Sequence, residues 1–269
     1  MNERKSFEDC LIPNQVEREL TSKELREKLR DPSYLPTYED ILCAFKKKGP
    51  FSHEWSNFLF NEENPVFELL NKEFIDAFGD YLIQRVENFS VTENEPLTIL
   101  EVGAGNGRLT YFLQQKFEQK IPGKVKIVAT DSGAWELKAF FPVEQLDHKK
   151  ALEKYQPKIV IFSWMPYEED YTEDFRVTKS VDEYILIGEA DGGCCGHRFE
   201  TWGLDQTFGN KQKKRYKSPL APYEVDGFER INVDETTALQ ISRSDNDLFK
   251  KGYHHSETVS FRRKKFDVK

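Results

Sequence analysis

The sequence predicts a doubly wound α/β sheet preceded by a helical segment. Two patterns carry this. From residue 97 onward, short apolar runs alternate with helical stretches, as parallel strands linked by crossover helices require. Before that point apolar residues recur at three- and four-residue steps, the helical period. The change divides the chain into a helical extension, 1–95, and an α/β domain, 96–269.

In the extension, Thr21-Ser22-Lys23-Glu24 opens a charged helix through Leu29, with Thr21 and Glu24 at capping-box spacing. Pro32 and Pro36 end it. A second helix is expected from Thr37 to Gly49-Pro50, followed by an aromatic-rich stretch from Phe51 to Phe60. The strongest helix is expected from Pro65 to Val86, where Phe67, Leu70, Phe74, Phe78 and Leu82 line one face. Beyond the linker 88–96, strands are expected at Leu97–Val102, Val125–Thr130, Ile159–Ser163 and Tyr184–Glu189. Helices are expected at Leu109–Phe117, Ala134–Phe140 and His148–Tyr155, with a short strand at Val143. Runs such as Ile-Val-Ile-Phe are apolar on both faces, which suits central parallel strands. Phe228–Val233, Ala238–Arg243 and Thr258–Phe261 read as antiparallel strands at the sheet edge.

Composition narrows the function classes. The chain of 269 residues is 38% hydrophobic and carries 21 Phe, enough for a sizeable core. Apolar runs fall short of a membrane span and the charged N-terminus does not resemble a secretory signal. The expectation is a soluble cytoplasmic protein, with the nucleus as a second compartment. A net charge of −8 disfavours nucleic acid as a partner. The basic run Lys211–Lys217 is the local exception, read as a solvated loop or a contact for an anionic group. No metal site is expected: Cys194 and Cys195 are adjacent, beside His197, and cannot easily direct both sulfurs at one ion. Nothing in the sequence sets an oligomeric state.

The chemistry concentrates where the first strand meets the following helix. Leu97–Val102 runs into Gly103-Ala104-Gly105-Asn106-Gly107, and a helix starts at Arg108. This is the context of a nucleotide-type cofactor site. The spacing is GxGxG rather than the dinucleotide fingerprint GxGxxG. Glu101, just before the loop, would repel a pyrophosphate but suits the ammonium of a methionine moiety. Asp131 ends the next strand, placed to accept bonds from both ribose hydroxyls or to cap a helix at Ala134.

The segment Leu100 to Leu109 resembles motif I of class I S-adenosylmethionine-dependent methyltransferases, and Val125 to Asp131 resembles their second strand with its ribose acid. The resemblance covers about residues 97 to 190. It implies a Rossmann-like seven-stranded mixed sheet with a late antiparallel hairpin and S-adenosyl-L-methionine as cofactor. The cofactor-binding residues it implies are Glu101, Gly103, Ala104, Gly105, Gly107, Asp131, Ser132, Asp147, Ser163 and Trp164. Asp147 stands beside the adenine on this reading; a helix cap is its other reading.

Ser163-Trp164-Met165-Pro166-Tyr167 follows the fourth strand, where ligands collect in open α/β sheets. It matches only in part the Pro-Pro-aromatic segment of amino-directed methyltransferases. Trp164 and Tyr167 can stabilise a cationic sulfonium or ammonium, and Glu189 or His197 can act as a base. These four are the catalytic candidates. The expected activity is methyl transfer to a small molecule, with a protein side chain as the second acceptor class. The N-terminal helices and the stretch 51–60 are expected to cap the site. A catalytically silent binding module is the alternative from another class, and an NAD-dependent oxidoreductase ranks below it.

Overall fold

The computed structural model describes residues 20–46, 52–89, 91, 95–190, 193–204, 220–245 and 256–264. The basic run 211–217 lies outside them. The extension contributes α1 (Ser22–Leu29), α2 (Tyr38–Lys46), α3 (His53–Leu59) and α4 (Lys72–Glu87). The sheet region follows as β1 (Leu97–Val102), α5 (Arg108–Lys120), β2 (Val125–Asp131), β3 (Glu144–Gln145) and α6 (His148–Tyr155). It continues with β4 (Ile159–Ser163), α7 (Thr172–Val177), β5 (Glu183–Gly188), α8 (Pro222–Val225), β6 (Phe228–Asn232), α9 (Asp234–Thr237) and β7 (Glu257–Arg263).

Among the described residues seven strands form one sheet in the order β3-β2-β1-β4-β5-β7-β6. The first five are parallel, and β7 runs antiparallel between β5 and β6. This is the Rossmann-like mixed sheet with a late antiparallel hairpin that the motif implied. The two-residue alternation of the strands sorts their side chains onto two cores. Leu100, Val102, Val160, Phe162, Tyr184 and Leu186 face α6 and α7. Ile99, Ile159, Ile161, Ile185 and Ile187 face α4 and α5. Glu101 shares the second face, which directs its carboxylate at α5.

The capping box at Thr21 and Glu24 forms. In the extension, α1, α2 and α3 pack around Trp55, Leu25 and Ile41, with Ile241 arriving from the far end of the chain. Among the described residues no helix is long and apolar enough to cross a membrane.

Three expected elements differ. The helix expected from Pro65 begins at Lys72, because the Asn71 side chain accepts from Phe74 N at 2.8 Å and starts the helix there. Residues 67–69 are extended instead, bridging Ser242 from Glu68 and donating Leu69 N to Ile241 O at 2.8 Å. Residues 134–140 form a loop rather than a helix. Gly133 and Glu136 both take positive φ (76° and 52°), and the Phe140 and Phe141 amides donate to Asn106 O. Residues 238–243 are not a strand of the sheet; they follow the short α9 and pair with 67–69.

Asn71 also donates to Leu239 O at 2.8 Å, joining the start of α4 to the same C-terminal segment. Asn71→Ala should therefore destabilise the fold by about 1–2 kcal/mol. Urea unfolding would measure this; a midpoint unchanged from wild type would contradict the cap assignment.

Candidate active site

A cavity of about 250 Å³ opens beyond the carboxyl ends of β1, β2 and β4, where an open α/β sheet collects its ligands. The glycine loop forms its floor. Gly103 (φ 64°), Gly105 (φ 53°) and Gly107 (φ 80°) all hold left-handed conformations. At Gly103 a Cβ would stand 2.7 Å from the Phe162 ring, so the loop can lie against β4 only without a side chain.

The amides of this loop are largely occupied. Ala104 N donates to Thr130 O at 3.0 Å, Gly105 N to Asp131 Oδ2 at 2.9 Å and Gly107 N to Ala104 O at 2.9 Å. Arg108 N donates to Asn106 Oδ1 at 3.1 Å. One turn into α5, Thr110 donates its N–H and its hydroxyl to Glu101 Oε2 at 3.1 and 2.5 Å. Glu101 is thus an internal cap of α5, and it lines the cavity while only 2% exposed.

Burial raises the Glu101 carboxyl to about 7, against the hydrogen bonds from Thr110 that lower it; the Asp131 charge adds to the rise. A carboxyl raised above its ordinary value of 4.5 stabilises the fold fully below that value, and this is lost as pH rises through about 7. The loss for Glu101 amounts to about 3 kcal/mol. Glu101→Gln keeps an acceptor for Thr110 and should remove this component. Melting curves from pH 4.5 to 8 should show a shallower decline for the variant; parallel curves would contradict the assignment.

Asp131 Oδ2 holds Gly105 N, and Oδ1 holds Gly133 N at 2.8 Å. The helix it was offered as capping does not form, so the carboxylate shapes the loop and faces the cavity. Ser132 and Ser163 line the same cavity, as do Gly103, Ala104 and Gly105. Gly107 does not; it is the left-handed residue that starts α5. Asp147 is not in the lining either. Its carboxylate caps α6 by accepting from Lys150 N at 3.1 Å, the second of its two readings.

Of the four residues expected to serve catalysis, one lies in the cavity lining. Trp164 lines the cavity at 8% exposure, in a left-handed conformation (φ 59°) that is rare for a bulky residue. Its amide donates to Ile187 O at 2.7 Å and its indole to Glu68 Oε2 at 2.9 Å. Tyr167 instead points outward, 64% exposed. Glu189 lies outside the cavity, and its carboxylate accepts from Cys194 N at 3.0 Å. His197 is also outside it, its ring against the Glu200 carboxylate and the amides of its own turn. Gly193 N donates to Ala190 O and Gly196 N to Met165 O, both at 3.1 Å, so residues 193–196 fold against the segment after β4. Among the described residues no His, Cys, Asp and Glu cluster is placed to hold a metal ion.

Several lining residues escaped the sequence reading. Residues 64–68 form one wall, and with them comes Glu68, a buried carboxyl raised to about 8 by desolvation. Hydrogen bonds from Trp164, Ser256 and Gln240 oppose that rise, and the Asp245 charge adds to it. Arg108 lines the cavity with its guanidinium anchored on Pro32 O and Tyr34 O at 3.0 and 2.9 Å. His148 lines it too, stacked on Tyr171 at 4.5 Å and bonded to Asp174 at 2.8 Å. Among the described residues of the extension, 64–68 and Leu70 line the cavity and the helices α1–α4 do not, while Trp55 and Leu59 of the aromatic stretch pack in a separate core. The local signal for this was Asn71, a helix cap placed after Phe67 and Leu70.

No family model matches this sequence, and no curated protein matches it either. Among solved structures the chain is similar to the DszA carbon methyltransferase at 16% identity and TM-score 0.40, over 84% of this chain and 60% of that one. It is similar to the citrinin polyketide synthase CMeT domain at 15% identity and TM-score 0.43, over 91% and 70% of the two chains. Human N-acetylserotonin methyltransferase in complex with SAM aligns at 11% identity and TM-score 0.33, over 90% and 66%. The chain thus spans less than two thirds of the DszA structure's length.

Proposed function

We propose that this chain is a methyltransferase using S-adenosyl-L-methionine, and that the cavity binds the donor between Glu101 and Asp131. One observation carries the reading: the N-terminus of α5 and the loop before it are already neutralised from within. A pyrophosphate needs free amide donors and a helix terminus clear of negative charge. Here Ala104, Gly105, Gly107, Arg108 and Thr110 spend their N–H groups inside the protein, and Glu101 occupies the terminus. Such a site rejects a dinucleotide. It suits a ligand with cationic and hydroxyl groups, and S-adenosylmethionine carries an ammonium, a sulfonium and a ribose.

In this reading Asp131 receives the ribose hydroxyls while Glu101 draws the ammonium end. Gly103, Ala104 and Gly105 supply a surface close enough for the donor to lie on β1, and Ser132 and Ser163 border it. Trp164 offers an aromatic face near the positive centre. When bound, the donor supplies an electrophilic methyl group; the chain's own residues orient it and keep water from it. Residues 64–68 wall the acceptor side, which favours a small molecule over a bulky polymer.

Calorimetry tests the reading directly. S-adenosylmethionine should bind with micromolar affinity, while NAD should give no saturable heat. Absence of donor binding, or tighter binding of NAD, would sink it.

A further inference from the structure

The Glu68 carboxyl lines the cavity, is 9% exposed, and is held on three sides. Oε2 accepts from the Trp164 indole at 2.9 Å; Oε1 accepts from Ser256 Oγ at 3.0 Å and Gln240 Nε2 at 3.5 Å. All three donors are neutral. Among the described residues no ion pair links Glu68 to a cation, although a buried carboxylate ordinarily has one. Three of the four lone-pair sites that a carboxylate offers are filled, leaving one on Oε2.

The surroundings favour a positive visitor. Of the charged side chains lining the cavity, Glu68, Glu101 and Asp131 are acidic and Arg108 is basic. The rings beside Glu68 already accept one cation: the Arg243 guanidinium lies 3.9 Å from the Phe67 ring centre and 5.8 Å from that of Trp164. Phe67 and Trp164 stand 5.4 Å apart, and Trp135 lies 6.1 Å from Phe67. A carboxyl held neutral by burial that ionises when a cation arrives, set among aromatic faces, is a receptor for an ammonium group.

We propose that Glu68 is the acceptor-side carboxylate of this cavity and that the acceptor is a primary or secondary amine entering as its ammonium ion. The proposal rests on the methyl-transfer reading for its chemistry. The ammonium gives one proton to Glu68 Oε2, which frees the nitrogen lone pair. That pair forms the bond to the methyl carbon as the carbon–sulfur bond breaks, its electrons staying on sulfur. The products are a methylated ammonium and a neutral thioether, and Glu68 returns its proton to water. The shift of its carboxyl toward 8 suits a group that exchanges protons with an amine.

The test uses two probes matched in shape, phenethylamine and 2-phenylethanol, titrated calorimetrically into the full chain saturated with S-adenosylhomocysteine. Wild type should bind the amine at least tenfold more tightly than the alcohol. Glu68→Gln should abolish that preference, and Glu68→Asp, which keeps the charge, should retain part of it. Labelled methyl transfer to phenethylamine should fall at least 100-fold in Glu68→Gln, with S-adenosylmethionine affinity within threefold of wild type. Equal binding of the two probes, binding of neither, or a preference surviving in Glu68→Gln overturns the proposal. So does a Glu68→Gln protein that loses affinity for S-adenosylmethionine but not for S-adenosylhomocysteine, since the carboxylate would then serve the donor's sulfonium. Should Glu68→Gln fail to fold, the wild-type probe comparison and Glu68→Asp still decide. If wild type binds no donor, the methyl-transfer reading falls by itself; the amine preference measured on that same protein still reports on the cationic site.

Discussion

Asp131→Ala should reduce the affinity for S-adenosylmethionine by at least 100-fold while the protein stays folded. Two losses combine. In the proposed complex the carboxylate accepts from both ribose hydroxyls, and each hydrogen bond to a charged group is worth roughly 1.5–3 kcal/mol. The same carboxylate also fixes the loop that receives the donor, through Gly105 N and Gly133 N at 2.9 and 2.8 Å. Without it both amides lose their partner and Gly105 loses its anchor. A combined loss of roughly 3 kcal/mol or more corresponds to at least a hundredfold in Kd. Asp131→Asn keeps one acceptor oxygen and should fall between the two. Calorimetric Kd values for the three proteins, with a circular dichroism melt for each, would check this. Alanine binding within threefold of wild type would place the ribose elsewhere.

The parts of the fold that could be read from the sequence are those whose conformation is decided locally. β1 and β4 occupy the expected residues because Leu97–Val102 and Ile159–Ser163 are apolar runs between polar breaks. α6 begins and ends as expected, with Asp147 as its cap. Residues 134–140 misled because Leu137 and Phe140 stand three apart, at helical spacing. Their apolar groups go instead to the cavity wall and the surface around it: Trp135 and Leu137 line the cavity, and Trp135 remains 55% exposed. Phe67 and Leu70 misled in the same way. They fall in phase with α4, yet Phe67 lies against Trp164 and the chain turns helical only after Asn71.

The candidate site divides along the same line. The part proposed to hold the donor is contiguous, strand to glycine loop to helix, with Asp131 one strand away, so spacing alone brings these residues together. The part proposed to receive the acceptor depends on contacts between distant residues. Glu68 meets Trp164 across 96 residues and Ser256 across 188. Nothing near Glu68 in the sequence signals this pairing, whereas Glu189 and His197 sit beside glycines and invited a functional reading. Those glycines serve backbone geometry: Gly196 has φ 60°, and its N–H donates to Met165 O at 3.1 Å, folding the segment against Met165.

Glu183→Ala should destabilise the fold by about 4 kcal/mol yet leave donor binding intact below the melting transition. Glu183 is fully buried at the start of β5, the end of the strand remote from the cavity. Arg85 Nε holds Oε2 at 2.5 Å, while the Tyr81 hydroxyl and Ser260 Oγ hold Oε1 at 2.5 and 2.7 Å. Arg262 Nη2 donates to the Tyr81 hydroxyl at 3.0 Å, and its Nε stands 3.7 Å from Oε1. The cluster thus ties α4 to β5 and β7. Removing the carboxylate leaves the Arg85 guanidinium without a counter-charge and Arg262 with Glu229 alone, an imbalance that costs roughly 3–5 kcal/mol. It also strands the hydroxyls of Tyr81 and Ser260. Glu183→Gln retains the shape and an acceptor, and should cost less than the alanine variant. Urea denaturation of the three proteins would measure the order, and calorimetry at low temperature would show whether the donor still binds. A loss below 1 kcal/mol in Glu183→Ala would mean that water reaches the arginines and replaces the carboxylate. Equal loss of donor affinity would mean that this end of the sheet is coupled to the cavity after all.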